Sequence, residues 1–205
     1  MNILLLGATG RVGEAIMKIV LQKGLKLTIL VRNKNKITLS DANLTVVEGD
    51  VYNHALLKNL SENNFDVLIN VVGANPLKPS TLVADTAKVV VEIFDQKPMR
   101  YLAITGIAQM EKSFFGKISI GILKLTPVKH AINDHQNAYN TIIESNLNYS
   151  LVACPYIVDG ETKGTFKKKP IFSGGFKTIH PGDVAIAITD ELNSNNSNTI
   201  TGIWY

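Results

Sequence analysis

The run Asn2-Ile3-Leu4-Leu5-Leu6 leads straight into Gly7-Ala8-Thr9-Gly10-Arg11-Val12-Gly13. A continuous apolar stretch of this kind reads as a strand covered on both faces. Beyond the glycines the apolar period becomes helical. Val12, Ala15, Ile16, Ile19 and Val20 stand at i, i+3, i+4, i+7 and i+8 and form one stripe. Strand, glycine turn and helix in this order make a phosphate cradle. The glycines let backbone N–H groups approach a pyrophosphate, and the helix N-terminus adds partial positive charge. A plain tight turn also uses glycine. The position between a buried strand and an amphipathic helix is what favours a dinucleotide site at the glycine turn, residues 7–13.

Strand and helix signals then alternate along the chain. Apolar strands are predicted at 27–31, 44–47, 67–72, 101–105, 149–153 and 199–204. Helices are predicted at 53–62, 79–95, 131–146 and 184–192, the last with Asp183 as N-cap. This alternation predicts an α/β fold of three layers, a doubly wound, mostly parallel sheet of the Rossmann type. Its ligand crevice lies at the carboxyl ends of the strands. No repeat or linker divides the sequence, so residues 1–205 are expected to form a single domain.

Composition excludes several partners. The net charge is only +4, and the basic residues are scattered apart from Lys167-Lys168-Lys169, read as a solvated loop. Nucleic-acid binding, which concentrates charge on one face, is therefore not expected. The single cysteine, Cys154, forbids an intramolecular disulfide and suits a reducing cytoplasm. The apolar run at 3–6 is too short for a signal peptide and no stretch reaches membrane length, so no membrane role is expected. His54, His130, His135 and His180 are dispersed, which argues against a metal site.

Cofactor choice is read at the end of the second strand, where NAD enzymes carry an acid for the ribose 2′-OH. Here the stretch is Ile29-Leu30-Val31-Arg32-Asn33, with Lys36 nearby. A guanidinium suits a 2′-phosphate, which a carboxylate would repel, so NADP(H) is expected. Asp50 and Val51 close the third strand beside the predicted adenine position. Val72, Gly73 and Ala74 end the fourth, where the cofactor backbone would pass.

The acid/base pair usual in short-chain dehydrogenases, Tyr-x-x-x-Lys, is missing. Four residues after Tyr52, Tyr101, Tyr139, Tyr149 and Tyr156 stand Leu56, Thr105, Ile143, Ala153 and Gly160. No serine occupies a Gly-x-Ser-x-Gly elbow either. Hydride transfer to a conjugated acceptor needs no strong protein acid, because the ring system delocalises the incoming charge. His135 shares a helical face with Tyr139 and Ile142 and reads equally as a buried structural histidine or a functional one. Tyr156 reads as a hydrogen-bonding group for nicotinamide or substrate, or as core filling. The segment Met110 to Leu125, rich in Phe114, Phe115, Ile118, Ile120, Ile122 and Leu123, is a candidate apolar wall. A helix packed on the domain or on a second subunit is the plainer reading, and a membrane-surface role is weaker because the segment lacks a strongly basic face.

The glycine turn, Leu30-Val31-Arg32-Asn33, Gly49-Asp50-Val51 and Val72-Gly73-Ala74 resemble the atypical short-chain dehydrogenase/reductase families. Asn133-Asp134-His135, Cys154-Pro155-Tyr156-Ile157 and His180-Pro181-Gly182-Asp183 resemble, within them, the biliverdin reductase B/flavin reductase group. The resemblance implies NADPH contacts at Gly7, Thr9, Gly10, Arg11, Val12, Arg32, Asp50, Val51, Val72 and Gly73, with Lys36 a further candidate. It implies that Ile104, Thr105, His135, Tyr156 and Ile157 flank the nicotinamide, with Thr105, His135 and Tyr156 taken as catalytic. Two positions depart from the group. Gly106 stands where it has serine and Tyr156 where it has histidine. The expectation is an NADPH-dependent reductase acting on a small planar conjugated substrate such as a flavin, quinone or biliverdin-like tetrapyrrole, as monomer or homodimer. The alternative is a non-catalytic NAD(P)H-sensing regulator resembling NmrA-like proteins.

Overall fold

A computed structural model describes residues 1–110, 114–170 and 177–205. The first strand, β1 (Asn2–Leu6), lies between β2 (Lys26–Val31) and β4 (Val67–Asn70), parallel to both. The sheet extends outward through β3 (Leu44–Glu48) on one side. On the other it runs through β5 (Arg100–Gly106), β6 (Asn148–Cys154), β10 (Thr199–Trp204) and β8 (Lys167–Lys169). The order is β3-β2-β1-β4-β5-β6-β10-β8, and β7 (Tyr156–Ile157) pairs with β9 (Thr178–Ile179) in a separate two-stranded ribbon. Every pairing is parallel except β8 with β10. This is the doubly wound Rossmann arrangement, in which strand order reverses beside β1 and opens a crevice there.

Strand periodicity explains why β1 is apolar throughout. Ile3 and Leu5 join one core with Val12, Ile16 and Val20 of α1 (Arg11–Gln22) and with Val184 and Ile188 of α6 (Pro181–Asp190). Leu4 and Leu6 join the other, with Val83 and Val90 of α3 (Leu82–Phe94) and with Ala138 and Ile142 of α5 (Lys129–Ile143). A strand clad by helices on both sides has no polar face to show. α2 (His54–Ser61) completes the α3/α5 side, burying Leu57 and Leu60.

Three expectations need correction. The fourth strand stops at Asn70, not at Val72, because the Asn70 side chain bends the backbone. Its Oδ1 accepts from Val72 N at 3.1 Å, and its Nδ2 donates to the buried Tyr101 hydroxyl at 2.9 Å. Such local side-chain bonding competes with a ladder. Asp183 is not an N-cap. His180 holds that position, and Asp183 is fully buried in the first turn of α6. Its carboxylate accepts from Lys163 N at 3.0 Å, from Gly164 N at 2.7 Å and from the Tyr205 hydroxyl, tying the 163–164 loop to the end of the chain. Finally, Lys167-Lys168-Lys169 is a strand and not a loop. Lys168 Nζ bonds Glu191 Oε1 at 2.7 Å, and exposed lysines at this sheet edge discourage further strand pairing.

Candidate active site

The glycine turn is fixed by backbone contacts. Gly7 has φ +88°, and a Cβ there would lie 2.7 Å from Val71 C and Val72 N. A Cβ on Gly13 would sit 2.2 Å from Gly7 O, so this glycine lets α1 press onto the turn. Gly10 and Gly73 differ. At Gly10 a Cβ would only touch Gly7 O at 3.4 Å, and at Gly73 it would meet nothing within 4 Å. No protein atom requires glycine at position 73, but a ligand lying across the strand ends would. α1 begins at Arg11 with no side-chain cap, which leaves its first amides turned to the same crevice.

The crevice has a volume of about 670 Å3 and runs over the ends of β1, β4, β5 and β6. One end is the turn, with Gly10, Arg11, Val12, Val72, Gly73 and Ala74. The other is apolar, with Leu77, Ile107, Ile120, Leu123 and Ile132. Ile104, Thr105, Gly106, His135, Cys154, Tyr156 and Ile157 lie between them, and Lys177 joins the lining. Among the described residues no lining residue is a carboxylate.

Thr105 and His135 form its polar centre. Thr105 is 3% exposed, and its Oγ1 is buried with no hydrogen-bond partner among the described residues. The same holds for His135 Nδ1. Buried polar atoms left unsatisfied cost free energy, and their clustering at a cleft is a sign of a missing ligand. Burial pushes the His135 imidazole below its ordinary range, and the neighbouring Asp134 charge opposes this only in part, so His135 is neutral at pH 7. Asp134 also sets where the histidine stands. Its carboxylate, 4% exposed, accepts from Ala84 N at 2.8 Å and Val83 N at 3.2 Å, capping α3 from α5. Cys154 is inert as a nucleophile, because burial drives its thiol far up from the usual range.

The remaining predicted residues divide. Tyr156 is 51% exposed and therefore does not fill the core. Arg11 lines the crevice, but its Nη1 is paired with Asp159 Oδ1 at 2.6 Å and its Nη2 donates to Ile157 O at 3.4 Å. Gly7 and Thr9 shape the turn without lining the crevice. Arg32, Lys36, Asp50 and Val51 lie outside its lining, at the ends of β2 and β3. Arg32 is exposed, and neither its guanidinium nor the Lys36 ammonium has a protein partner among the described residues. Glu48, at the end of β3, is held by Lys34 through its N at 3.2 Å and its Nζ at 3.8 Å.

Sequence reasoning named His135 but missed the α5 residues that line the crevice with it. Val128, Ala131, Ile132 and His135 line it at i, i+3, i+4 and i+7, a stripe visible in the sequence, whereas Tyr139 and Ile142 belong to the α3/α5 core. Of the proposed apolar wall, Ile120 and Leu123 of α4 (Phe114–Leu123) face the crevice; the side chains of Phe114 and Phe115 lie outside the described residues.

The sequence model of the NAD(P)H-binding family matches residues 7–195, and the chain belongs to that family. A nicotinamide dinucleotide is therefore its cofactor, and the open Gly10–Gly73 cradle fits one. A protein of Bacillus subtilis strain 168, YwnB, itself uncharacterised, is 25% identical over 204 residues, covering 94% of this chain and 92% of its own. A candidate NADH-flavin reductase from Streptococcus pneumoniae TIGR4 superposes with TM-score 0.78 at 21% identity, covering 100% of this chain and 99% of that one. A short-chain dehydrogenase/reductase from Veillonella parvula DSM 2008, solved with NADP, gives TM-score 0.77 at 19% identity and covers 98% and 93%. These likenesses establish the fold. Among the described residues no helix is long and apolar enough to cross a membrane.

Proposed function

We propose that the protein is an NADPH-dependent reductase that delivers hydride to a small planar conjugated acceptor: a flavin, a quinone or a biliverdin-like tetrapyrrole. The observation that carries this reading is the juxtaposition of two orphaned polar atoms, Thr105 Oγ1 and His135 Nδ1, with an apolar crevice that has room beyond them. When bound, the nicotinamide supplies the hydride. The chain supplies position. The turn amides and Gly73 receive the pyrophosphate backbone, with Asp50 and Val51 at the adenine end. Ile104 and Ile157 bracket the ring, while Thr105 and His135 give its carboxamide or the acceptor the hydrogen bonds they now lack. A neutral His135 accepts or donates one hydrogen bond without adding charge. Tyr156, half exposed at the rim, is the group placed to return a proton or to orient a substrate carbonyl.

The name of the pneumococcal protein, a candidate flavin reductase, supports the acceptor class. The Veillonella complex supports NADP, as does the unpaired Arg32. The test is oxidation of NADPH and NADH against panels of free flavins, quinones and biliverdin. Turnover with at least one conjugated acceptor, and none with simple ketones, is expected. Tight NADPH binding with no turnover on any acceptor would overturn the enzyme reading and favour a cofactor-sensing regulator.

A further inference from the structure

α4 is apolar on nearly every side, and a helix of that composition is normally covered on every side. Here one side is covered and another is bare. Ile120 and Leu123 line the crevice, whereas Ile118 and Ile122 are 46% and 60% exposed. Leu125, just past the helix, is 87% exposed. Spaced at i, i+4 and i+7, these three make one aliphatic stripe on the outside of the crevice wall. The segment has no strongly basic face in sequence, but the fold sets its few cations beside the bare stripe: Lys117 and Lys124, both exposed, follow it along one edge, and exposed Lys129 opens the next helix. From Lys117 to Asn133 the sequence contains no Asp or Glu.

We propose that this face of α4 docks on an anionic lipid surface, so that one wall of the crevice rests at a membrane interface. The charge pattern selects this occupant over a second copy of the chain. In an antiparallel two-fold contact of the helix with its copy, the lysine edges of both copies fall on the same side, with no carboxylate in the segment to neutralise them. Anionic headgroups complement those lysines, while the aliphatic stripe enters the acyl boundary. The contact is peripheral and goes beyond the reductase reading, since it depends neither on the acceptor nor on turnover. It would give a water-insoluble conjugated acceptor a short path into the crevice.

Flotation of the full chain with phosphatidylcholine vesicles, with and without a fraction of phosphatidylglycerol, tests this directly. Binding is expected only with phosphatidylglycerol and should fall as salt rises. Lys117→Gln and Lys124→Gln should each weaken partitioning by about fivefold. Ile118→Ser/Ile122→Ser should abolish it while circular dichroism and NADPH binding stay unchanged. No binding to anionic vesicles, or binding indifferent to these substitutions, overturns the proposal. So does a dimer in sedimentation that Ile122→Asp dissociates, which would reassign the face to self-association.

Discussion

Arg32→Glu is the sharpest probe of how this chain chooses its cofactor. Arg32 follows β2 at the position where an acid would bind a ribose 2′-OH, and it makes no hydrogen bond or ion pair among the described residues. A charge-assisted bond to a 2′-phosphate is worth roughly 1.5–3 kcal/mol, and an exposed site argues for the lower end, about tenfold in affinity. Glutamate adds repulsion. Unit charges about 4 Å apart in water interact by ~1 kcal/mol, and a phosphate carrying more than one charge, partly screened by salt, leaves about that amount. The two effects sum to ~2.5 kcal/mol, so the NADPH dissociation constant should rise by fifty- to a hundredfold. NADH has no 2′-phosphate, and its affinity should move by less than about threefold. Arg32→Ala isolates the first effect and should cost NADPH about tenfold. Fluorescence titration of both cofactors at two salt concentrations reads all of this. Raised salt should narrow the difference between NADPH and NADH. Equal losses for the two cofactors would refute the 2′-phosphate assignment, and so would a wild-type preference for NADH.

The two kinds of glycine should separate cleanly. Gly13→Ala drives a Cβ into Gly7 O and Ala8 Cα, backbone atoms that cannot rotate away, and should cost about 3 kcal/mol or more in denaturant unfolding. Gly73→Ala meets open space, so stability should change by less than ~0.5 kcal/mol while cofactor affinity falls. Asp134→Ala strands the buried amides of Val83 and Ala84 and should lower stability by roughly 2–5 kcal/mol, with Asp134→Asn milder because one acceptor remains. His135 has a depressed pKa in the folded state, so its contribution is intact above the unfolded value of about 6.5 and is lost as pH falls below it. The stability difference between wild type and His135→Gln should therefore change with pH only on the acid side, and an NMR titration of His135 centred at an ordinary imidazole value would contradict this.

Much of the fold was legible because it rests on local periodicity. β1 and β10 have in the structure the bounds read from the sequence: β1 is an apolar run stopped by Gly7, and β10 alternates Thr with Ile after the Asn/Ser tract. Errors came where a side chain far away in sequence, or just ahead of it, overrides the local pattern. Val71 and Val72 have strand propensity, yet Asn70 ends the strand by accepting from Val72 N. Asp183 has the residue type of an N-cap, but the amides it serves belong to residues 163–164, about twenty positions back along the chain. Three lysines in a row look solvated, and their pairing with β10 is a tertiary fact that no local rule contains.

The site divides along the same line. Its phosphate end is written in one continuous stretch, because cradle, close approach and helix start must be adjacent in the chain, and the family match accordingly begins at Gly7. Its other end, the proposed acceptor site, is assembled from separate pieces: the segment after β4, the end of β5, α4, the first turns of α5, the 154–157 segment and Lys177. Each piece contributes a handful of side chains at most, nearly all of types that also fill cores, so none is recognisable alone. Two features break that ambiguity. Thr105 Oγ1 and His135 Nδ1 are buried atoms with no hydrogen-bond partner among the described residues. The stripe Val128, Ala131, Ile132 and His135 turns toward that same cavity, although Ala138 and Ile142 on the same helix turn into the core. On the proposed reading α4 and the opening turns of α5 shape the acceptor's side of the crevice, and exchanging Ile120 or Ile132 for larger side chains should shift acceptor preference while leaving NADPH affinity unchanged.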